Sequence, residues 1–184
     1  MKRNSCLLVL LFLLTGCSSD DSLDKAMDLR EKMNENICSF ESHITADYGN
    51  TQQSFSMNCQ TDADGNVIFS VVEPESIAGI SGVISESGGK LTFDDKAVAF
   101  PLLAEGQLSP VSGPWLLIKA LRGGYLSSCC MEGDRHHLSI DDSYEAQSMR
   151  LEIWFDQDGC VTYAEIFWKD RMLLSMNIEK FTYV

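Results

Sequence analysis

Ser109-Pro110-Val111-Ser112-Gly113-Pro114-Trp115-Leu116-Leu117-Ile118-Lys119-Ala120-Leu121-Arg122-Gly123-Gly124 is the stretch whose reading decides the fold. Ser109 followed by Pro110 marks a helix start, because the first turn of a helix has no partner for the N–H that proline lacks. Trp115, Leu116, Leu117, Ile118, Ala120 and Leu121 then make a helix that is apolar nearly all round, and Gly123-Gly124 ends it. A helix with so little polar surface must be buried or must cover something apolar. On both sides of it the hydrophobic pattern is that of strands, so the helix is the hub of a mainly β chain.

Upstream, Cys38, Phe40, Ser42, Ile44, Ala46 and Tyr48 fall on one face of a strand, with Glu41, His43, Thr45 and Asp47 on the other. Phe55, Met57 and Cys59 alternate in the next strand. Asp62-Ala63-Asp64-Gly65-Asn66 reads as a hairpin turn, the glycine supplying positive φ where the chain reverses. A strand over Val67 to Val72 stops before Pro74, and shorter strands follow at Ser81 to Glu86, Lys90 to Phe93 and Ala97 to Phe100. Before all of these, residues 22–36 have helical spacing, with Leu23, Ala26, Met27 and Met33 as the apolar stripe.

Downstream, strands are expected over Tyr125 to Met131 and His136 to Ile140, then one in which Met149, Leu151, Ile153 and Phe155 alternate with polar neighbours. Asp156-Gln157-Asp158-Gly159 repeats the earlier turn chemistry. Val161, Tyr163, Glu165 and Phe167 are expected on one face of the next strand, and Leu173 to Tyr183 makes another.

The N-terminus has a different character. Lys2 and Arg3 precede an unbroken apolar run from Leu7 to Leu14, which is too short to span a membrane and has the layout of a signal peptide. Its ending, Leu14-Thr15-Gly16-Cys17, resembles the bacterial lipoprotein lipobox. The resemblance implies that residues 1–16 are removed and that Cys17 carries lipid on its sulfur. An ordinary signal peptide that happens to carry a cysteine is the alternative. On the lipoprotein reading, residues 17–21 are the lipidated cysteine and a short tether, and residues 22–184 form one domain on the extracytoplasmic side of a bacterial cell membrane.

Composition narrows the partners. The chain has 27 acidic and 14 basic side chains and a net charge of −13. Loss of Lys2 and Arg3 with the leader takes it to −15. That charge repels nucleic acid and, beyond the anchor, anionic headgroups. Without Cys6 and Cys17, five cysteines remain: Cys38, Cys59, Cys129, Cys130 and Cys160, each on or beside an expected strand. Small buried hydrophobes are the simple reading of most of them. Cys129-Cys130 and His136-His137 are adjacent pairs on strands, so each pair splits between two faces and cannot offer both side chains to one ion. No metal site and no cofactor are therefore assigned. Asp62-x-Asp64-Gly65 and Asp156-x-Asp158-Gly159 lack the later acid of a calcium loop. No nucleophile elbow or phosphate loop is present, and the chain is not expected to be an enzyme.

The order of elements, with Phe69-Ser70-Val71-Val72-Glu73-Pro74, Ile77-Ala78-Gly79-Ile80, Leu91-Thr92-Phe93 and the helix from Ser109-Pro110, is similar to the LolA/LolB-like superfamily of lipoprotein carriers. That resemblance implies a strongly curved antiparallel sheet, an unclosed half-barrel, with an N-terminal helix and the central apolar helix in its concave face. It implies a protein that binds a lipophilic ligand or a lipid-modified partner non-covalently. The residues expected to line the concave pocket are Phe55, Met57, Phe69, Val71, Trp115, Ile118, Leu151, Ile153 and Tyr163. The alternative is a cell-envelope interaction or sensing module with a solid core, no small ligand and a protein partner.

Overall fold

The alternating segments form strands and the central apolar segment forms a buried helix, in a computed structural model that describes residues 19–94, 96–101, 103–104, 107–143 and 148–184. The expected signal peptide, Cys17 and Ser18 lie outside the described residues, and Ser19 to Asp21, expected as tether, belong to the first helix. Helix α1 covers Ser19–Glu35. A first meander follows: β1 (Cys38–Asp47), β2 (Gln52–Thr61), β3 (Val67–Glu73), β4 (Ser81–Ser85), β5 (Gly88–Phe93) and β6 (Lys96–Phe100). A small hairpin of β7 (Leu103–Ala104) and β8 (Gln107–Leu108) leads to a 3-10 turn at Pro110–Ser112 and to α2 (Gly113–Gly123). The second meander is β9 (Tyr125–Glu132), β10 (Arg135–Asp141), β11 (Met149–Phe155), β12 (Val161–Trp168) and β13 (Arg171–Tyr183).

The two meanders make one antiparallel sheet of eleven strands in the order β6-β5-β4-β3-β2-β1-β13-β12-β11-β10-β9. The joint at its centre pairs β1 with β13, for example Ile44 with Met176 and Thr45 with Ser175. The sheet does not close. Its edges are β6 and β9, and the chain between them carries α2 through the concave face, so the helix expected to be buried is buried by topology as well as by composition. Leu117 and Ile118 have no exposed surface, and Leu116, Ala120 and Leu121 are buried with them. Lys119 is the exposed exception, with Nζ 5.1 Å from the Trp115 ring centre and 3.7 Å from Glu86 Oε1.

The end of α2 differs from expectation in one respect. Gly124 has φ −68°, so it is not there for left-handed freedom. A side chain on it would run into Ile140 and the Ala120 backbone, so glycine allows the helix to approach β10 closely. The two aspartate-led turns do close as read, with Gly65 at φ +82° and Gly159 at φ +81°.

Helix α1 buries Ser22, Ala26, Leu29 and Met33, a stripe at helical spacing. Leu23 and Met27, expected in that stripe, are exposed. The two helices also cap each other. Arg30 of α1 donates from Nε to Leu121 O (3.0 Å) and from Nη2 to Gly124 O (2.7 Å). Arg122 of α2 donates from Nε to Met33 O (2.8 Å) and from Nη2 to Asn36 O (3.5 Å). The terminal carbonyls of each helix, which have no partners within it, thus receive charged donors from the other.

Candidate functional site

Paired residues on neighbouring strands share a face, so the register identifies the concave surface row by row. One row runs Phe55, Ile44, Met176, Ala164, Ile153 and Leu138, all buried. A second runs Val71, Met57, Ser42 and Ile178, and a third includes Phe69, Cys59 and Phe40. Leu151 lies between Ile140 and Ile166. Phe55, Met57, Phe69, Val71, Trp115, Ile118, Leu151 and Ile153 therefore come together, as members of one continuous core against α1 and α2.

Tyr163 does not join them. Trp154 pairs with Tyr163 but Phe155 pairs with Val161, so Thr162 is an extra residue in a β-bulge. Beyond the bulge the buried positions of β12 are Ala164 and Ile166, and Tyr163 faces outward. Its ring centre is 5.2 Å from that of Trp154, and its hydroxyl donates to Glu165 Oε1 at 2.8 Å. Burial, and then the Glu165 carboxylate, push its phenol above the ordinary range, which keeps it a donor.

Beneath the helices the concave face is solid. Ile44, Leu117, Ile118, Leu151, Ile153, Ala164, Ile166 and Met176 all have 0% exposure, so no water-sized void touches them. Buried thiols belong to this filling: burial pushes Cys59 far up, and burial raises Cys38 despite its hydrogen bond with Thr61.

The concave face is not filled to its edge. The third row continues from Phe69 through Gly82 and Leu91 to Val98. Phe69 is buried, Leu91 half-buried and Val98 61% exposed. By strand alternation Phe93 belongs to the same face as Leu91, and it is 54% exposed. Gly82 has no side chain to fill the middle of the row. A Cβ there would run into the Lys90 carbonyl of β5 and lie 2.9 Å from the Phe69 ring, so the ring lies close against the strand backbone. Leu91, Phe100 and Ile80 pack against the core from this side. The result is an apolar surface on β4–β6 that begins in the core and runs out to solvent. The sequence does not reveal it: a strand is expected only from Lys90, whereas β5 begins at Gly88.

On the convex side, Glu73 at the end of β3 pairs with Ser56 of β2. His43 Nδ1 is 3.0 Å from Ser56 Oγ, and Ser56 Oγ donates to Glu73 Oε2 at 3.3 Å. An open cleft of about 500 Å³ lies beside them, with Phe55, Val72 and Ala78 in its wall. Among the described residues there is no group of three or more His, Cys, Asp or Glu placed to hold a metal ion. No described helix is long and apolar enough to cross a membrane.

An open antiparallel half-barrel wrapped around two helices is the class of protein that these features define. Its likenesses are in structure. The chain superimposes on an uncharacterized conserved protein from Thermus thermophilus with TM-score 0.50 at 10% identity, over 89% of this chain and 88% of that one. A putative outer membrane lipoprotein-sorting protein domain from Vibrio parahaemolyticus gives 0.48 at 8%, over 90% and 93% of the two chains. A LolA superfamily protein from Nitrosomonas europaea gives 0.44 at 9%, over 85% and 92%. At these identities the likeness is one of fold. No protein-family model matches the sequence, and no curated protein matches it.

Proposed function

We propose that this chain is a lipid-anchored extracytoplasmic lipoprotein that binds a lipophilic ligand, an acyl chain of a lipid or of a lipid-modified partner, on the apolar concave surface of β4–β6. The supporting observation is the row Phe69, Gly82, Leu91 and Val98, apolar throughout and increasingly exposed away from the helices. A binding surface continuous with a rigid core is already shaped before the ligand arrives, which limits the ordering cost. The ligand does not reach under α2, because that space is occupied by side chains. Cys17, through its lipid, would hold the surface near a source of acyl chains, and the charge of −15 without the leader leaves apolar contact as the main attraction.

Native mass spectrometry of the full chain, purified gently from a bacterial host, tests this. Co-purifying lipid that disappears in Val98→Asp or Phe93→Asp, with the fold unchanged, is the expected result. Both side chains are exposed, so neither change disturbs the core. The second reading, an envelope interaction module with no small ligand, is favoured by the filled interior beneath α2. A lipid-free mass and no binding of an apolar dye would establish that reading instead.

A further inference from the structure

The convex face carries a chain of chemistry that lipid binding does not use. Cys130 on β9, His137 on β10 and Trp154 on β11 sit directly across from one another. Cys130 Sγ lies 3.8 Å from His137 Nδ1. The other ring nitrogen, Nε2, is 2.9 Å from Glu152 Oε2. A carboxylate only accepts, so Nε2 carries the proton, and in the neutral imidazole Nδ1 presents its lone pair to the thiol. The imidazole is held from several sides. Its ring stacks on Trp154 at 4.5 Å and 11°. Glu152 is fixed in turn by Ser139 Oγ (3.2 Å) and by Arg150 Nε (2.9 Å). Trp154 donates from Nε1 to Glu132 Oε2 at 2.6 Å, and that carboxylate is 3.9 Å from His137 Nδ1.

A nucleophile, a base and a group that orients the base is the arrangement that activates a thiol. Access is open as well: Cys130 is exposed, and β9 is an edge strand. We propose that Cys130 is a reactive thiol that exchanges with low-molecular-weight disulfides, with His137 as its base and Glu152 and Trp154 as positioning residues. As Sγ attacks one sulfur of R–S–S–R, its proton passes to His137 Nδ1. The Sγ–S bond forms, the S–S bond of the reagent breaks with its electron pair on the departing sulfur, and that sulfur takes the proton from His137 to leave as RSH. The products are a mixed disulfide on Cys130 and one free thiol.

The mixed disulfide is the end point, because among the described residues no neighbouring thiol is placed to resolve it. Cys129 points to the other face and donates to Ser22 O at 2.8 Å, Cys38 and Cys59 are buried, and Cys160 lies in the turn between β11 and β12, not on β9 or β10. The adduct thus adds a group to the convex face and leaves the concave surface untouched.

The test uses 4,4′-dithiodipyridine on the full chain in mild detergent, reading the released thiopyridone by absorbance and assigning the site by peptide mass spectrometry. Cys130 is expected to react first and roughly tenfold or more faster in the native protein than in the same protein unfolded in urea, the range an assisted thiol gains at neutral pH. His137→Gln is expected to remove that advantage without altering the rate of the unfolded chain. A native rate for Cys130 equal to or below the unfolded rate would overturn the proposal. So would a folded His137→Gln protein that reacts as fast as the parent. If His137→Gln fails to fold, the native-against-unfolded comparison decides alone.

Discussion

Ile118→Ala separates a helix that is core from a helix that is a lid over a hollow. Ile118 has 0% exposure in the middle of α2, enclosed by the concave face. At about 0.8 kcal/mol for each methyl or methylene group withdrawn from the interior, truncation to alanine forfeits about 2.4 kcal/mol of transfer free energy. The surrounding residues sit on a hydrogen-bonded sheet and can collapse only partly. A cavity term adds to the loss, for a total of about 3–4 kcal/mol, inside the range of buried large-to-alanine changes. Urea unfolding followed by tryptophan fluorescence reads this as a lower midpoint at constant slope. A thermal melt should fall by about 10 °C for a domain of this size. A loss below about 1 kcal/mol would mean that α2 rests loosely in the half-barrel. The solid core, and with it the placement of the ligand on β4–β6, would then be wrong.

Other perturbations probe separate parts of the structure. Arg30→Ala and Arg122→Ala each remove charged donors from half-buried helix carbonyls and should cost about 1–2 kcal/mol. A double-mutant cycle in urea should show the two losses to be coupled, since both hold the same helix pair. Gly82→Ala drives a Cβ into the Lys90 backbone carbonyl and against the Phe69 ring and should destabilise by about 1–3 kcal/mol while reducing lipid uptake. Asp62 is held below the usual carboxylate range: burial, which raises it, is outweighed by the Asn66 side chain and by the N–H groups of Asn66, Asp64 and Gly65. A lowered folded value means that its stabilisation is present above the unfolded aspartate value and is lost as pH falls through the folded one. Asp62→Ala should therefore weaken the protein at neutral pH and make no difference in strong acid, measured as unfolding midpoints across pH. Cys17→Ala should move the protein from the membrane fraction to the soluble fraction on ultracentrifugation. Retention in the membrane would refute the lipid anchor.

The face of a strand was readable wherever its period held. Cys38 to Ala46 alternate as expected, and so do Phe55 to Cys59 and Leu151 to Phe155, because one side of each strand lies on the core. Tyr163 was misplaced by the extra residue at Thr162, since a shift of one position reverses a strand and bulges leave little trace in composition. The α1 stripe was misread for a related reason. Leu23 and Met27 are apolar at helical spacing, but the buried face is set by what β9, β10 and α2 offer, and it takes Ser22 and Leu29 instead. The open end of the half-barrel was hidden because exposure there depends on where α2 stops covering the sheet. The thiol–imidazole–carboxylate chain was hidden because its members come from three strands. The sheet divides Cys129-Cys130 and His136-His137 between its faces as expected, but only the register shows that Cys130 and His137 share one of them.

The pairing of β1 with β13 has a consequence for how the molecule assembles. Thr45 waits for Ser175, so the centre of the sheet is the last seam to be stitched, while each meander zips locally from its own hairpins. Until then β1 and β13 are both bare edges in the interior of the future sheet, carrying unpaired N–H and C=O groups beside apolar rows. A chain cut before Arg171 keeps two such edges permanently. It should appear as an aggregate or a protease substrate, not as a smaller version of the same protein.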